Sequence, residues 1–169
     1  DVSDAIRMRG VIEGFAARLL AENGASRRTM KILKDCLEEG DAVVFKAGMD
    51  LDDYARYAQM NDRFHQAIID GCANKTLART METLNSQAFA AASATLPMQS
   101  SMEEGHEWMK QAHRTHHAIV QAIEKHQGSR AQALGEEHVE IARQNLDFAM
   151  EDPERAAKIL PGFQLVRLV

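Results

Sequence analysis

Apolar side chains return at helical spacing from the start of the chain: Met8, Val11, Ile12, Phe15 and Leu19 fall at i, i+3, i+4, i+7 and i+11. This predicts a helix from Ser3 to Asn23 with those residues inward, stopped by Asn23-Gly24. Ser26 reads as the N-cap of a second helix that turns Met30, Leu33 and Leu37 inward and ends near Gly40. Ala42 to Gly48 fits either a short helix or an irregular link. A third helix is expected from Asp50 to Asp70, with Gly71 ending it. A fourth starts at Asn74 or Lys75 and carries Leu77, Met81, Leu84, Ala88 and Ala91 on one face. Leu96-Pro97 breaks that pattern, and the stretch through Ser101 reads as a loop. A fifth helix runs from Met102 to His126. After the Gly128-Ser129 turn, Ser129 caps a sixth that continues to Met150 and closes at Asp152-Pro153.

The fold class is therefore all-α: an antiparallel bundle of about six to seven helices, joined by short connections around a central metal or ligand cavity. Residues 1–150 form the bundle. Residues 151–169 form an apolar tail, whose part from 156 to 169 is either docked or exchanged with a partner. Composition agrees with helices. Of 169 residues, 45% are hydrophobic but only 5% aromatic, too few of the residue types that fill sheets. The net charge of −5 argues against a broad basic surface for nucleic acid. No apolar run is long enough for a membrane span, and Asp1-Val2-Ser3-Asp4 is no signal peptide. Cys36 and Cys72 form no CxxC pair and read as small core residues of a reducing compartment, so a cytoplasmic protein is expected.

What stands out is seven histidines, because some of them fall on apolar seams. The inward stripe of the third helix is Tyr54, Ala58, Asn61, His65, Ile68; that of the fifth is Met109, Ala112, His116, Ile119, Ile123. In the sixth it is Ala131, Leu134, His138, Ile141, Asn145, Phe148. Three helices thus each direct an imidazole toward the bundle axis. A neutral imidazole buried alone leaves a polar nitrogen unsatisfied, at about 1–3 kcal/mol. A shared divalent metal removes that cost for all three, and Asn61 lies one turn before His65 on the same face. The competing reading is that each histidine is bonded separately within the core.

The other histidines are expected on the surface. His113 and His117 are also i, i+4, a spacing metal ligands use, but they lie off the seam of Ala112 and Ile119 and are placed on a solvated face. His106 and His126 lie near helix ends. Asp62 is rotated about 100° from Asn61 and reads as a supporting or surface carboxylate. Arg9 and Glu13 form an i, i+4 pair that is either a surface ion pair or, since Ala5, Arg9, Ile12 and Ala16 line up, a charge directed into a cavity.

These residues also carry a resemblance. Arg9-Gly-Val-Ile-Glu13, Asn61-Asp-Arg-Phe-His65, Gly71-Cys-Ala-Asn74, His116-His-Ala-Ile-Val-Gln-Ala-Ile123 and His138 occur in an order and spacing that resemble the FCD domain. This is the C-terminal effector-binding domain of GntR-family bacterial transcription regulators. The match spans roughly residues 4 to 148. The resemblance implies a helical bundle holding a divalent metal, zinc or nickel, on one Asp and three His. By position the histidines are His65, His116 and His138, and the Asp position falls on Asn61. Asn can ligate through its side-chain oxygen but brings no charge, so weaker metal binding is expected. The resemblance further implies a small organic acid as effector, with Arg9 and Glu13 as ligand-binding residues. It also implies a homodimer, and DNA contact only through a domain outside this chain.

The expected function is thus effector sensing for a metabolite-responsive transcription regulator, with no catalysis. Two rivals stand beside it. One is a metal-dependent hydrolase with a three-His site, for which Glu13 and Asp62 are the sole carboxylates near the seams. The other is a structural dimerisation bundle.

Overall fold

Side-chain caps set several of the helix starts. Ser26 Oγ accepts from the Thr29 amide at 3.0 Å. Asp50 and Asp53 exchange a reciprocal capping box, and Asn74 Oδ1 accepts from the amides of Thr76 and Leu77. Each satisfies amide donors that the first helical turn leaves without intrahelical partners. The structure is a computed structural model that describes residues 2–87, 90–94, 96–99 and 105–160. Its helices are α1 (Val2–Asn23), α2 (Arg27–Val44), α3 (Leu51–Gly71), α4 (Lys75–Asn85), α5 (Leu96–Gln99), α6 (Gly105–Glu124), α7 (Gly128–Glu151) and α8 (Pro153–Ile159). Among the described residues there is no strand, and no helix is long and apolar enough to cross a membrane.

The fold is an all-α bundle, as the periodicity predicts. Its main core joins α1, α2, α3 and α6 through Leu20, Leu33, Tyr57, Met60, Phe64, Met109 and Ile119, all at most 2% exposed. A smaller cluster gathers Ile6, Val139, Leu146, Ala149, Ala156 and Leu160.

Of the residues expected inward on the first helix, Ile12 is buried, but Met8, Val11 and Phe15 turn outward. Met8 and Val11 are each 50% exposed and Phe15 is 39% exposed, while Arg9, Gly10, Glu13, Gly14 and Ala17 are buried. The reason is the closeness of α1 to α7. A Cβ added to Gly135 would lie 2.9 Å from the Gly14 Cα, and one on Gly14 would lie 2.7 Å from the Gln132 carbonyl oxygen. Only a face of small residues fits that gap, so the bulky ones point away.

Several boundaries shift for similar local reasons. α2 continues through Gly40 to Val44, which makes most of the uncertain link helical. α4 ends at Asn85, short of Ala91, and Ala88 lies outside the described residues. The predicted break at Leu96-Pro97 holds the short α5. α6 starts at Gly105, and the predicted start at Met102 lies outside the described residues. α7 starts at Gly128, one residue before the expected cap. Beyond Asp152 the chain forms α8, capped by Asp152 with Pro153 in its first turn, and Ala156 and Leu160 bury against α1 and α7. Residues 161–169 of the expected tail lie outside the described residues.

Gly135→Ala tests the close crossing. Alanine favours an isolated helix, so a gain is expected if the helices have room. Contact with the Gly14 backbone should instead cost about 1–3 kcal/mol, lowering the melting temperature by about 2–10 °C in thermal unfolding.

Candidate metal centre and effector chamber

Four helices contribute to one polar interior. α3 supplies Asn61 and His65, α6 His116, α7 His138, and α1 Arg9 and Glu13; all six side chains are buried. One ligand atom from each of His65, His116 and His138 lies within 4.8 Å of the others. The His116 and His138 Nε2 atoms are 3.0 Å apart, and the His65 ring stacks on that of His138 with centroids 5.1 Å apart. Phe64, the residue before His65, covers the His116 ring at 4.1 Å between centroids.

Both facing imidazoles are neutral near physiological pH. Burial, then the neighbouring imidazoles, pushes the His116 pKa well below its ordinary value. Burial and then His65 bring His138 down to about 3. Two neutral rings share one hydrogen bond at most along that 3.0 Å line, with one Nε2 donating. Their Nδ1 atoms are buried without a hydrogen-bond partner. This donor set, three imidazoles with lone pairs within bonding reach of one point, suits a borderline dication.

The anionic charge that Asn61 lacks comes from α1. Glu13 Oε2 lies 2.7 Å from His65 Nδ1, and Glu13 Oε1 lies 3.3 Å from Arg9 Nε. Burial alone would raise the Glu13 pKa, but the charges of His65 and Arg9 outweigh it and hold the group at about 2. A carboxylate on the far nitrogen of a ligating histidine fixes the ring and makes it a better donor. Arg9 is partly engaged already: its Nη1 donates to the Ala90 carbonyl at 2.6 Å. Asn61 Nδ2 donates to Ser93 Oγ at 3.1 Å, and Ser93 donates onward to the Ala58 carbonyl. The amide hydrogens of Asn61 thus face Ser93, and its oxygen remains as the atom able to ligate.

Two cavities meet at His65. An inner chamber of about 30 Å³, room for about one water, is lined by Arg9, Tyr57, Asn61, Gln99, His138 and Asn145 among others. An outer cavity of about 220 Å³ is lined by Glu13, Asp62, Gln66, Ile69, Met81 and Asn85 among others. Asp62 is on the exposed side of α3 and reaches the centre only as part of that outer wall.

The sequence reading passed over several of these residues. Gln99 Nε2 donates to Asn145 Oδ1 at 3.2 Å inside the chamber. Tyr57 Oη and Gln99 Oε1 are buried without a partner. Asn145 was visible as a polar residue on the seam of His138, seven positions on; Gln99 sat in a segment read as loop. His113 is a correction: expected on a solvated face, it is 0% exposed. It lies where α6 meets α2, an interface the seam of α6 alone did not show. His117 is only partly buried. His106 and His126 donate to the Val44 and Ala21 carbonyls from partly covered positions.

A search among curated proteins gives no match. The family model described as "FCD domain" matches residues 4–141, most of the chain, and includes Arg9, Glu13, Asn61, His65, His116 and His138. The protein belongs to the FCD family, the regulatory effector-binding domains of GntR-type regulators.

Proposed function

We propose that this domain senses a small carboxylate through a divalent metal held by Asn61, His65, His116 and His138, with zinc or nickel the suited ions. The observation that carries the reading is the convergence of three buried imidazoles on one point beside unpartnered polar atoms of the chamber wall. When bound, the ion supplies Lewis-acid attraction for a carboxylate oxygen. Arg9 adds a charge-assisted contact, and the Tyr57 hydroxyl and Gln99 carbonyl offer hydrogen bonds to the remainder of the acid. Glu13 serves by positioning His65 and Arg9 more than by touching the acid.

Signalling follows from what covers the chamber. Ala90, Ser93 and Gln99 are tied to it through Arg9–Ala90, Asn61–Ser93 and Gln99–Asn145. The inner chamber is too small for an organic acid, so entry must part some of these bonds and shift the population of the covering segment. In the full regulator, that shift would alter the spacing of two DNA-binding domains outside this chain. Pairing of two copies is supported by the apolar stripe of Met8, Val11 and Phe15 left exposed along α1.

Metal content decides the central claim. His65→Leu should lose one bound ion per chain by elemental analysis, and with it the rise in melting temperature that zinc gives the stripped wild type. A structural bundle would show no ion lost and an unchanged or higher melting temperature. With the metal in place, a panel of small carboxylic acids should contain members that raise the melting temperature further, and Arg9→Gln should abolish that rise.

Acid provides a second check on stripped protein. His116 and His138 titrate near 6.5 when unfolded and lower when folded, so the unfolded state binds more protons below that value. Stability should fall as pH drops from about 6.5 toward 3, by about 1.4 kcal/mol per pH unit for each such histidine. His138→Gln should flatten the profile measured by denaturant unfolding.

A further inference from the structure

On the opposite side of His116 from the inner chamber, α6 meets α2 at a second cluster that the effector reading does not use. His113 and His117 lie one turn apart on α6, and Asp41 faces them from α2. Asp41 Oδ1 is 2.9 Å from His117 Nε2 and 3.3 Å from His113 Nε2. One ligand atom from each residue lies within 4.8 Å of the others. We infer that Asp41, His113 and His117 form a second binding site for a zinc-like dication, separate from the central centre.

Three observations support the site. First, its spacing suits an ion. Ligand atoms about 2.0–2.2 Å from a tetrahedral zinc stand roughly 3.3 Å from one another, close to both separations from Asp41. Second, the site has been given room. Gly40 has no side chain, and a Cβ there would lie 2.0 Å from His113 Cε1, so this glycine is what lets the ring insert between the helices. Third, His113 is fully buried and its hydrogen bonding is incomplete. Its Nε2 is 3.2 Å from the Leu37 carbonyl oxygen as well as beside Asp41, while its Nδ1 has no partner. Two acceptors converge on Nε2, so without an ion that nitrogen carries the hydrogen; an ion would take its lone pair once the hydrogen moves to Nδ1 and the Leu37 carbonyl is released. An ion there would meet an imidazole lone pair, a carboxylate and a second imidazole.

Access also fits. The side chains of Asp41 and His117 are each 43% exposed, so an ion can enter from solvent and keep water in its remaining positions. The donor set of two imidazoles and one carboxylate favours zinc, nickel or cobalt over magnesium or calcium. Such an ion would clamp α2 to α6. The His113 and His116 rings lie 5.6 Å apart, so the clamp would hold the helix that carries a central imidazole.

The test is zinc bound per chain after equilibrium dialysis against a series of buffered free zinc concentrations. It uses the whole chain as wild type, His117→Ala, Asp41→Asn and His138→Gln. His117 and Asp41 are partly exposed, so both substitutions should leave the fold intact, as circular dichroism would verify. The expected result is that His117→Ala and Asp41→Asn each lose one equivalent that His138→Gln retains. The proposal is overturned if His117→Ala and Asp41→Asn bind as much zinc as the wild type at every concentration. It is overturned equally if His138→Gln removes the same equivalent, because the cluster would then hold no ion of its own. Failure of the central centre would show differently, as a wild type whose only bound ion survives His138→Gln and is lost in His117→Ala.

Discussion

The bundle is arranged around three imidazoles that share one buried interior. Placing His65, His116 and His138 there costs solvation, seen in the depressed pKa values of His116 and His138. The cost is tolerable only if the nitrogens find partners. Glu13 meets the outer nitrogen of His65 from α1, and it reaches that position because Gly14 and Gly135 let α1 settle directly on α7. A wider crossing would move the carboxylate away from His65. The helix packing and the chemistry of the centre are therefore one problem, solved by two glycines.

How far the sequence revealed this depends on how each helix presents its face. α3, α6 and α7 carry ordinary amphipathic patterns, and polar residues interrupting them were readable as a buried set. Asn61, His65, His116 and His138 are all buried as the seams indicate. α1 misled because its inward face is made of glycine, alanine and a charged pair. A reading that follows bulk places Met8, Val11 and Phe15 inside, and the close contact with α7 turns them out. His113 was hidden for a related reason. A histidine off the main seam of α6 looks solvated until one knows that α2 crosses there and that Gly40 opens a slot for the ring. In both places the decisive residue is one without a side chain, and periodicity has nothing to register. Gln99 was missed because a four-residue helix is too short to have a period.

The electrostatics of the site bear on what it can recognise. The outer cavity presents Glu13 and Asp62, so an anion approaching from that side meets like charge. The inner chamber presents Arg9, three amides, a phenol and imidazoles, a wall suited to an anion and able to offer hydrogen bonds to its substituents. A carboxylate is therefore better received on the Arg9 side of His65, whereas Glu13 disfavours it on the other. This polarity is local. It is invisible in the net charge of −5, which sums over the whole chain.

Under the proposed function, the covering segment accounts for how so small a chamber could receive an organic acid. Arg9, Asn61 and Asn145 each spend a hydrogen bond on one of Ala90, Ser93 and Gln99. Under the proposed function, Arg9 and Gln99 are also groups an organic acid would engage. Such a ligand would compete with the segment for these residues, and the energy it gains from the site would be reduced by what it must displace. That competition is what makes occupancy detectable elsewhere: a ligand that filled a preformed cavity without breaking these bonds would have no differential affinity for two states, and so could not shift them.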